Sequence, residues 1–109
     1  MKTIRSILLQ MKKTVEQEQT QSPNWWIDRA IELNVLWQDL KQEMTKYEML
    51  YKSEVVELIE KGNKISQAER TVEASSENYS TYQYLKGRDK IIEEFIKLAK
   101  KRATIESTI

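Results

Sequence analysis

Apolar residues return every three or four positions along most of this chain, which is the period of an α-helix that buries one face. In residues 23–61 the steps alternate between four and three, a heptad pattern typical of helices that pack side by side. The positions of this seam are Trp26, Ala30, Leu33, Trp37, Leu40, Met44, Tyr47 and Tyr51. The pattern predicts a long helix whose seam faces a partner helix.

The ends of this stretch have the properties of helix caps. Ser22 is a good N-cap, and Pro23 suits the first helical position because its missing N–H would have no partner there. Gly62 and Asn63 both tolerate the left-handed conformation that ends many helices. We therefore predict a helix over residues 23–61.

A second long helix is predicted over residues 67–103, where a capping box between Ser66 and Glu69 marks the start. Gly87 lies inside this stretch and costs up to about 1 kcal/mol in a helix, so we expect a kink or break near residue 87. The run over residues 75–78 is also poor helix material, as either a soft point or an exposed face.

The connection between the two long helices is short, so they are expected to lie antiparallel. Residues 2–18 form a further amphipathic segment with apolar positions at helical spacing. The longer helix is apolar on more than one face, and one partner helix cannot cover that surface. We predict that segment 2–18 packs there as a third helix. The flanking apolar positions are Ile27, Ile31, Val35 and Leu36.

These elements define an all-α fold class. We predict a long antiparallel helical hairpin, coiled-coil-like, with a short N-terminal helix packed at its base, in a single domain of residues 1–109.

Charge is unevenly distributed although the formal net charge is only +1. Residues 1–13 carry four basic and no acidic side chains, and residues 86–102 carry seven basic and three acidic ones. Residues 14–85 carry seven basic and thirteen acidic ones, so we expect a bipolar hairpin with one basic end. Candidate phosphate contacts are Lys12, Lys13, Lys97, Lys100, Lys101 and Arg102. The alternative is that these cations only solvate a helix face and favour the negative end of its dipole.

Aromatic and acidic side chains supply the other candidates. Trp25 lies off the heptad seam and could stack on an unpaired base. The five tyrosines fall in one zone of the hairpin, as an amphipathic core or a partner surface. Candidate residues for protein interaction are Tyr47, Tyr51, Tyr79, Tyr82, Glu54 and Glu57.

Catalysis finds little support in the composition. The chain has no Cys and no His, which removes thiolate ligands, disulfides and the usual general base. We expect no catalytic residue, cofactor, metal or small-molecule substrate. No apolar run approaches the roughly 20 residues that span a bilayer, and residues 2–11 lack the core of a signal peptide. We therefore expect a cytoplasmic protein without a membrane partner.

The segment over residues 60–69, with Tyr79, Tyr82 and a Lys/Arg-rich final helix, resembles small all-helical proteins of phages and prophages of Gram-positive bacteria. The resemblance covers residues 30–103. It implies an accessory protein encoded among replication and recombination genes and present in the bacterial host cell. The plan also resembles phage recombination mediators, which are helical, oligomeric and bind single-stranded DNA. Size and composition are similar to those of anti-CRISPR proteins. No functional residue is carried over from these families.

Two functional hypotheses follow. The first is a non-enzymatic, homo-oligomeric accessory protein of nucleic-acid metabolism that binds single-stranded nucleic acid, or a protein bound to it, through the basic end. The second is an inhibitor of a host nuclease or defence system whose acidic end mimics phosphates. A plain adaptor hairpin with solubilising charges is the remaining alternative.

Overall fold

The computed structural model describes residues 3–108 and the side chains of residues 3–105. Within that range the chain forms four helices and no strand. The predicted all-α class is confirmed, since the long second helix packs against the last one as a hairpin and a short helix precedes them. The helices are α1 (Ile4–Glu16), α2 (Pro23–Glu60), α3 (Ile65–Ser75) and α4 (Glu77–Thr108).

The helices form two compact units. Unit 1 comprises Met1–Asp39 together with Asp89–Ile109, and unit 2 comprises Leu40–Arg88. Unit 1 thus contains α1, the first part of α2 and most of α4, while unit 2 contains the rest of α2, α3 and the start of α4. That the chain is one domain stays a prediction.

The core of unit 1 is built from apolar side chains of α1, α2 and α4. The predicted seam is confirmed here, because Trp26, Ala30 and Leu33 are all buried. Trp37 is half-buried and donates its indole N–H to the carboxylate of Asp89 on α4. The largest fully buried side chains are Ile7, Met11, Trp26, Leu33 and Ile92.

The N-terminal helix does not cover all the apolar surface that the sequence assigned to it. Its polar contact with α2 is a hydrogen bond from Arg29 Nη1 to Gln10 Oε1 at 3.3 Å. Ile31 is two residues from Arg29, about 200° around the helix, so it faces away from this contact. Ile27, Ile31 and Val35 remain 44%, 57% and 61% exposed, and the prediction that α1 packs over them is wrong.

The turn after α2 forms as the sequence predicts. Gly62 has a φ of 104° and donates its N–H to the Ile59 carbonyl at 2.9 Å. The Asn63 N–H reaches the Leu58 carbonyl at 3.1 Å, which completes a Schellman motif. These bonds use carbonyls that the helix end would otherwise leave unpaired.

The predicted capping box at the start of the next helix does not form. The N-cap of α3 is Lys64, whose backbone is extended, and no side chain caps the helix. Ser66 already lies inside the first turn, because the helix begins at Ile65 directly after the Gly62 turn. Ser66 therefore lies beyond the N-cap position and cannot form a capping box with Glu69.

The break predicted near residue 87 is also wrong, because α4 continues through Gly87. The chain breaks at Ser76 instead, where the backbone is extended with φ −81° and ψ 126°. Ser76 Oγ accepts a hydrogen bond from the Tyr79 N–H at 3.2 Å and so caps the start of α4. The packing of Leu85 and Ile92 on either side offsets the cost of Gly87 inside the helix.

Several helix ends differ from their predicted positions. α1 spans Ile4–Glu16 rather than residues 2–18, with Thr3 and Ser6 forming a capping box; residue 2 lies outside the described part of the chain. α4 ends at Thr108 rather than at residue 103. Ala99 and Ala103, near this end of the helix, are buried within unit 1.

Candidate interaction surfaces

The lysines chosen as phosphate contacts are solvent-exposed, and all lie in unit 1. Two of them form surface ion pairs with the preceding or following turn. Lys12 Nζ lies 3.7 Å from Glu16 Oε1, and Lys97 Nζ lies 3.3 Å from Glu93 Oε1. Such exposed pairs contribute little to stability, so these lysines remain accessible to a ligand. Lys13, Lys100 and Lys101 form no ion pair with any described residue, and Arg102 is half-buried.

The total charge of each unit is nearly balanced. Unit 1 carries ten Lys and Arg against nine Asp and Glu, and unit 2 carries eight of each. Acidic side chains outnumber basic ones in two segments, by five to one over residues 14–39 of unit 1 and by seven to four over residues 48–77 of unit 2. The candidate cations of unit 1 therefore share their unit with a similar number of carboxylates, so the net charge of unit 1 provides little electrostatic attraction for phosphates.

Trp25 is not the open stacking platform that its position off the seam indicated. Its ring is half-buried and meets Trp26 edge-on, with centroids 4.8 Å apart. The guanidinium of Arg29 lies 5.0 Å from the Trp25 ring centre, so a cation already occupies one ring face. An unpaired base would have to displace Arg29 to stack on that face.

Arg29 itself is a residue that sequence reasoning missed. It is only 9% exposed, and Nη2 forms an ion pair with Glu32 Oε1 at 2.9 Å while Nη1 donates to Gln10 on α1. A buried charge is normally paired, and here the pair also links α1 to α2. The available signal was the position of Arg29 within one turn of Trp26 and Leu33 on the seam.

The exposed residues Ile27, Ile31 and Val35 form one apolar line along α2, here named the outer stripe. They follow each other at intervals of four, so they lie on one face of the helix. With Ile96 and Lys100 of α4, the stripe borders an open groove of about 420 Å³. Apolar residues scattered singly need no explanation, whereas a contiguous apolar line of this kind is a candidate interaction site.

Three of the five tyrosines form a cluster in unit 2. The Tyr51 ring centre lies 5.1 Å from that of Tyr79 and 5.2 Å from that of Tyr82. All three are half-buried, and burial raises the pKa of the Tyr51 and Tyr82 phenols above its ordinary value. Tyr47 is half-buried under Lys46, with the ammonium 5.6 Å from its ring centre. The Tyr79 and Tyr82 rings therefore pack on Tyr51, while all three stay partly open to solvent.

A hydrogen-bonded pair lies beside the tyrosine cluster. Lys52 Nζ donates to Glu48 Oε1 at 2.7 Å. This bond is the largest cause of the lowered pKa of Glu48 and of the raised pKa of Lys52, and the neighbouring Tyr82 lowers the pKa of Glu48 further. Tyr84 points outward and is 63% exposed, so the predicted tyrosine zone is not one continuous surface.

Glu54 has a structural role that its selection as an acidic contact did not anticipate. Its carboxylate accepts hydrogen bonds from the Ser76 hydroxyl and, at 2.9 Å, from Asn78 Nδ2. Glu54 therefore ties α2 to the junction of α3 and α4, and its oxygens are already engaged. Glu54 and Glu57 both line an open cavity of about 440 Å³, and Glu57 is exposed. Of the two acidic candidates, only Glu57 is available to a partner.

Replacing Glu54 with alanine should lower the free energy of unfolding by about 1–3 kcal/mol, because Ser76 and Asn78 lose a charged acceptor. Chemical denaturation followed by circular dichroism measures the change. The matched replacement Glu57→Ala should stay within about 0.5 kcal/mol of the parent protein, as for most surface changes. Equal effects of the two replacements would show that the hydrogen bonds to Glu54 do not hold the junction.

No group of three or more carboxylates within residues 3–105, where side chains are described, is placed to hold a metal ion. Within the same range, no helix combines the length and apolar character needed to cross a bilayer. Comparison with protein-family models, with curated proteins and with solved structures finds no match to this chain.

Proposed function

We propose that this protein acts by binding rather than by catalysis, as a self-associating helical accessory protein. The observation that carries the proposal is the outer stripe, whose Ile27, Ile31 and Val35 side chains are about half exposed. Covering aliphatic surface is favourable by roughly 25 cal/mol per Å², and α1 leaves this surface uncovered. The charged side chains that flank the outer stripe fit a second copy of the chain as the partner.

Opposite charges lie on the two sides of the stripe. Lys100 lies on the α4 side, where it borders the groove beside Ile27 and Ile31. Asp28 follows Ile27 on the other side of the stripe and is exposed. Neither Lys100 nor Asp28 forms an ion pair with a described residue.

These charges favour one arrangement of two copies. A two-fold axis parallel to α2 brings the stripes together and sets Lys100 of each copy beside Asp28 of the other. An antiparallel arrangement would instead face Lys100 with Lys100, and like charges across an interface are unfavourable. The proposed assembly is therefore a parallel, two-fold symmetric dimer built on the outer stripe.

Replacing Ile31 with glutamate should weaken self-association at least about tenfold, because a carboxylate would be buried without a partner. Sedimentation equilibrium measures the association constant against the monomer mass of 13.0 kDa. Leu9→Glu is the matched control, because Leu9 is 54% exposed against 57% for Ile31 but lies on α1. A variant at Leu9 that dissociates as readily as the variant at Ile31 would reject the stripe as the interface.

Single-stranded nucleic acid, or a protein bound to it, is the second candidate partner. The supporting observation is that α4 carries exposed Lys97 and Lys101 one turn apart, with Lys13 exposed on α1. A dimer presents two such sets of lysines on one particle, so one strand can contact both sets and bind more tightly than it would a single chain. The cations would contact phosphates and so bind without base readout.

A further inference from the structure

A second apolar surface lies in unit 2, between α2 and α3. Val56 and Ile59 on α2 and Ile65 on α3 are 51%, 36% and 63% exposed. With Val55 and Val72 they line an open groove of about 450 Å³. This groove is separate from the outer stripe, which belongs to unit 1.

The rim of this groove is negatively charged. Glu69 and Glu73 stand one turn apart on α3, and both are exposed. Neither forms an ion pair with a described residue. The one basic side chain at the rim, Lys52, is already paired with Glu48 at 2.7 Å. A ligand that enters the groove therefore meets an apolar floor and two free carboxylates.

The backbone of the groove walls restricts the form of the ligand. Both walls are helices, whose interior N–H and C=O groups already bond to one another. An extended peptide would find no free edge with which to pair its own backbone. A helix satisfies its backbone internally and presents an apolar face to the groove.

We propose that this groove binds an amphipathic helix of a partner protein, with Lys or Arg residues four apart beside its apolar face. The apolar face would cover Val56, Ile59 and Ile65, and the basic residues would pair with Glu69 and Glu73, which have the same spacing. The proposal goes beyond self-association, since it concerns other residues and a different partner.

Two synthetic helical peptides of about four turns test the groove. One carries leucines along one face with lysines four apart beside them, and the other has glutamates in place of the lysines. Binding to the labelled peptides is measured by fluorescence anisotropy at low and physiological salt. The lysine peptide should bind the parent protein at least about tenfold more tightly than the glutamate peptide.

Charge reversal should exchange this preference. The double change Glu69→Lys with Glu73→Lys should weaken the lysine peptide about tenfold or more and strengthen the glutamate peptide. The control, Glu57→Lys with Glu60→Lys, makes the same change in net charge on α2 residues that do not line the groove, and it should leave both affinities within about threefold. Circular dichroism verifies that each variant keeps the parent helicity.

Three outcomes would overturn the proposal. The first is no saturable binding of the lysine peptide to the parent protein, and the second is equal weakening by the control pair. The third concerns the variant Val56→Asp, which should lose peptide binding and keep the solution mass of the parent protein. If this variant instead changes the solution mass and keeps peptide binding, the groove is assigned to a second copy of the chain. Peptide binding that survives Ile31→Glu separates this groove from the outer stripe.

Discussion

Replacing Trp26 with alanine should lower the free energy of unfolding by about 3–5 kcal/mol, the range measured for large-to-alanine changes in protein cores. The Trp26 side chain is 1% exposed and lies on the α2 seam. Its removal would leave a cavity that α1 and α4 cannot close without shifting. Chemical denaturation, followed by far-ultraviolet circular dichroism, measures the loss.

Trp26→Phe keeps the prediction testable if the alanine variant does not fold. The buried Trp26 Nε1 has no hydrogen-bond partner among the described residues, so its removal sacrifices no hydrogen bond. We expect the phenylalanine variant to lose less than half as much stability as the alanine variant. Trp25→Ala, at the neighbouring half-buried ring, should cost about 1 kcal/mol. A larger loss at Trp25 than at Trp26 would contradict the assigned core.

The second large effect concerns nucleic acid. Replacing both Lys97 and Lys101 with glutamate should weaken binding of a single-stranded oligonucleotide at least about tenfold at low salt, because two attractive charges become repulsive. Lys100 is left unchanged since it borders the outer stripe. Fluorescence anisotropy at several salt concentrations gives both the affinity and its salt dependence.

A matched pair of lysines separates local contacts from net charge. Lys61→Glu with Lys64→Glu changes the net charge equally, but both residues are in unit 2. This control should leave the affinity within about threefold of the parent value. Equal losses from both pairs would show a diffuse charge effect, and no binding at low salt would remove nucleic acid from the candidate partners.

The sequence predicted the helical content and most of the core because both depend on local, periodic signals. The heptad positions of α2 placed Trp26 and Leu33 in the core, and Gly62 marked the turn. The breaks were harder to predict. Gly87 and Ser76 are both weak helix positions, and tertiary hydrogen bonds decide between them. Ser76 bonds to Glu54, which lies 22 residues away in the chain.

Candidate sites were predicted less well than the fold. The candidate lysines were expected to be exposed because of the helix faces on which they lie, and the structure shows that they are exposed. Whether Glu54 and Trp25 are available to a partner depends on neighbours from other turns and helices, which periodicity does not specify. The apolar residues of the outer stripe were recognised from sequence, but the sequence could not show that α1 packs elsewhere on α2.

The most direct test of the central claim, the parallel dimer, is the solution mass of a charge-swap series. Sedimentation equilibrium is run on the parent chain, Asp28→Lys, Lys100→Asp and the double variant. The account predicts a dimer of twice 13.0 kDa for the parent, association weakened about fivefold in each single variant, and recovery in the double variant. A parent chain that stays monomeric, or a double variant no stronger than the singles, would contradict it.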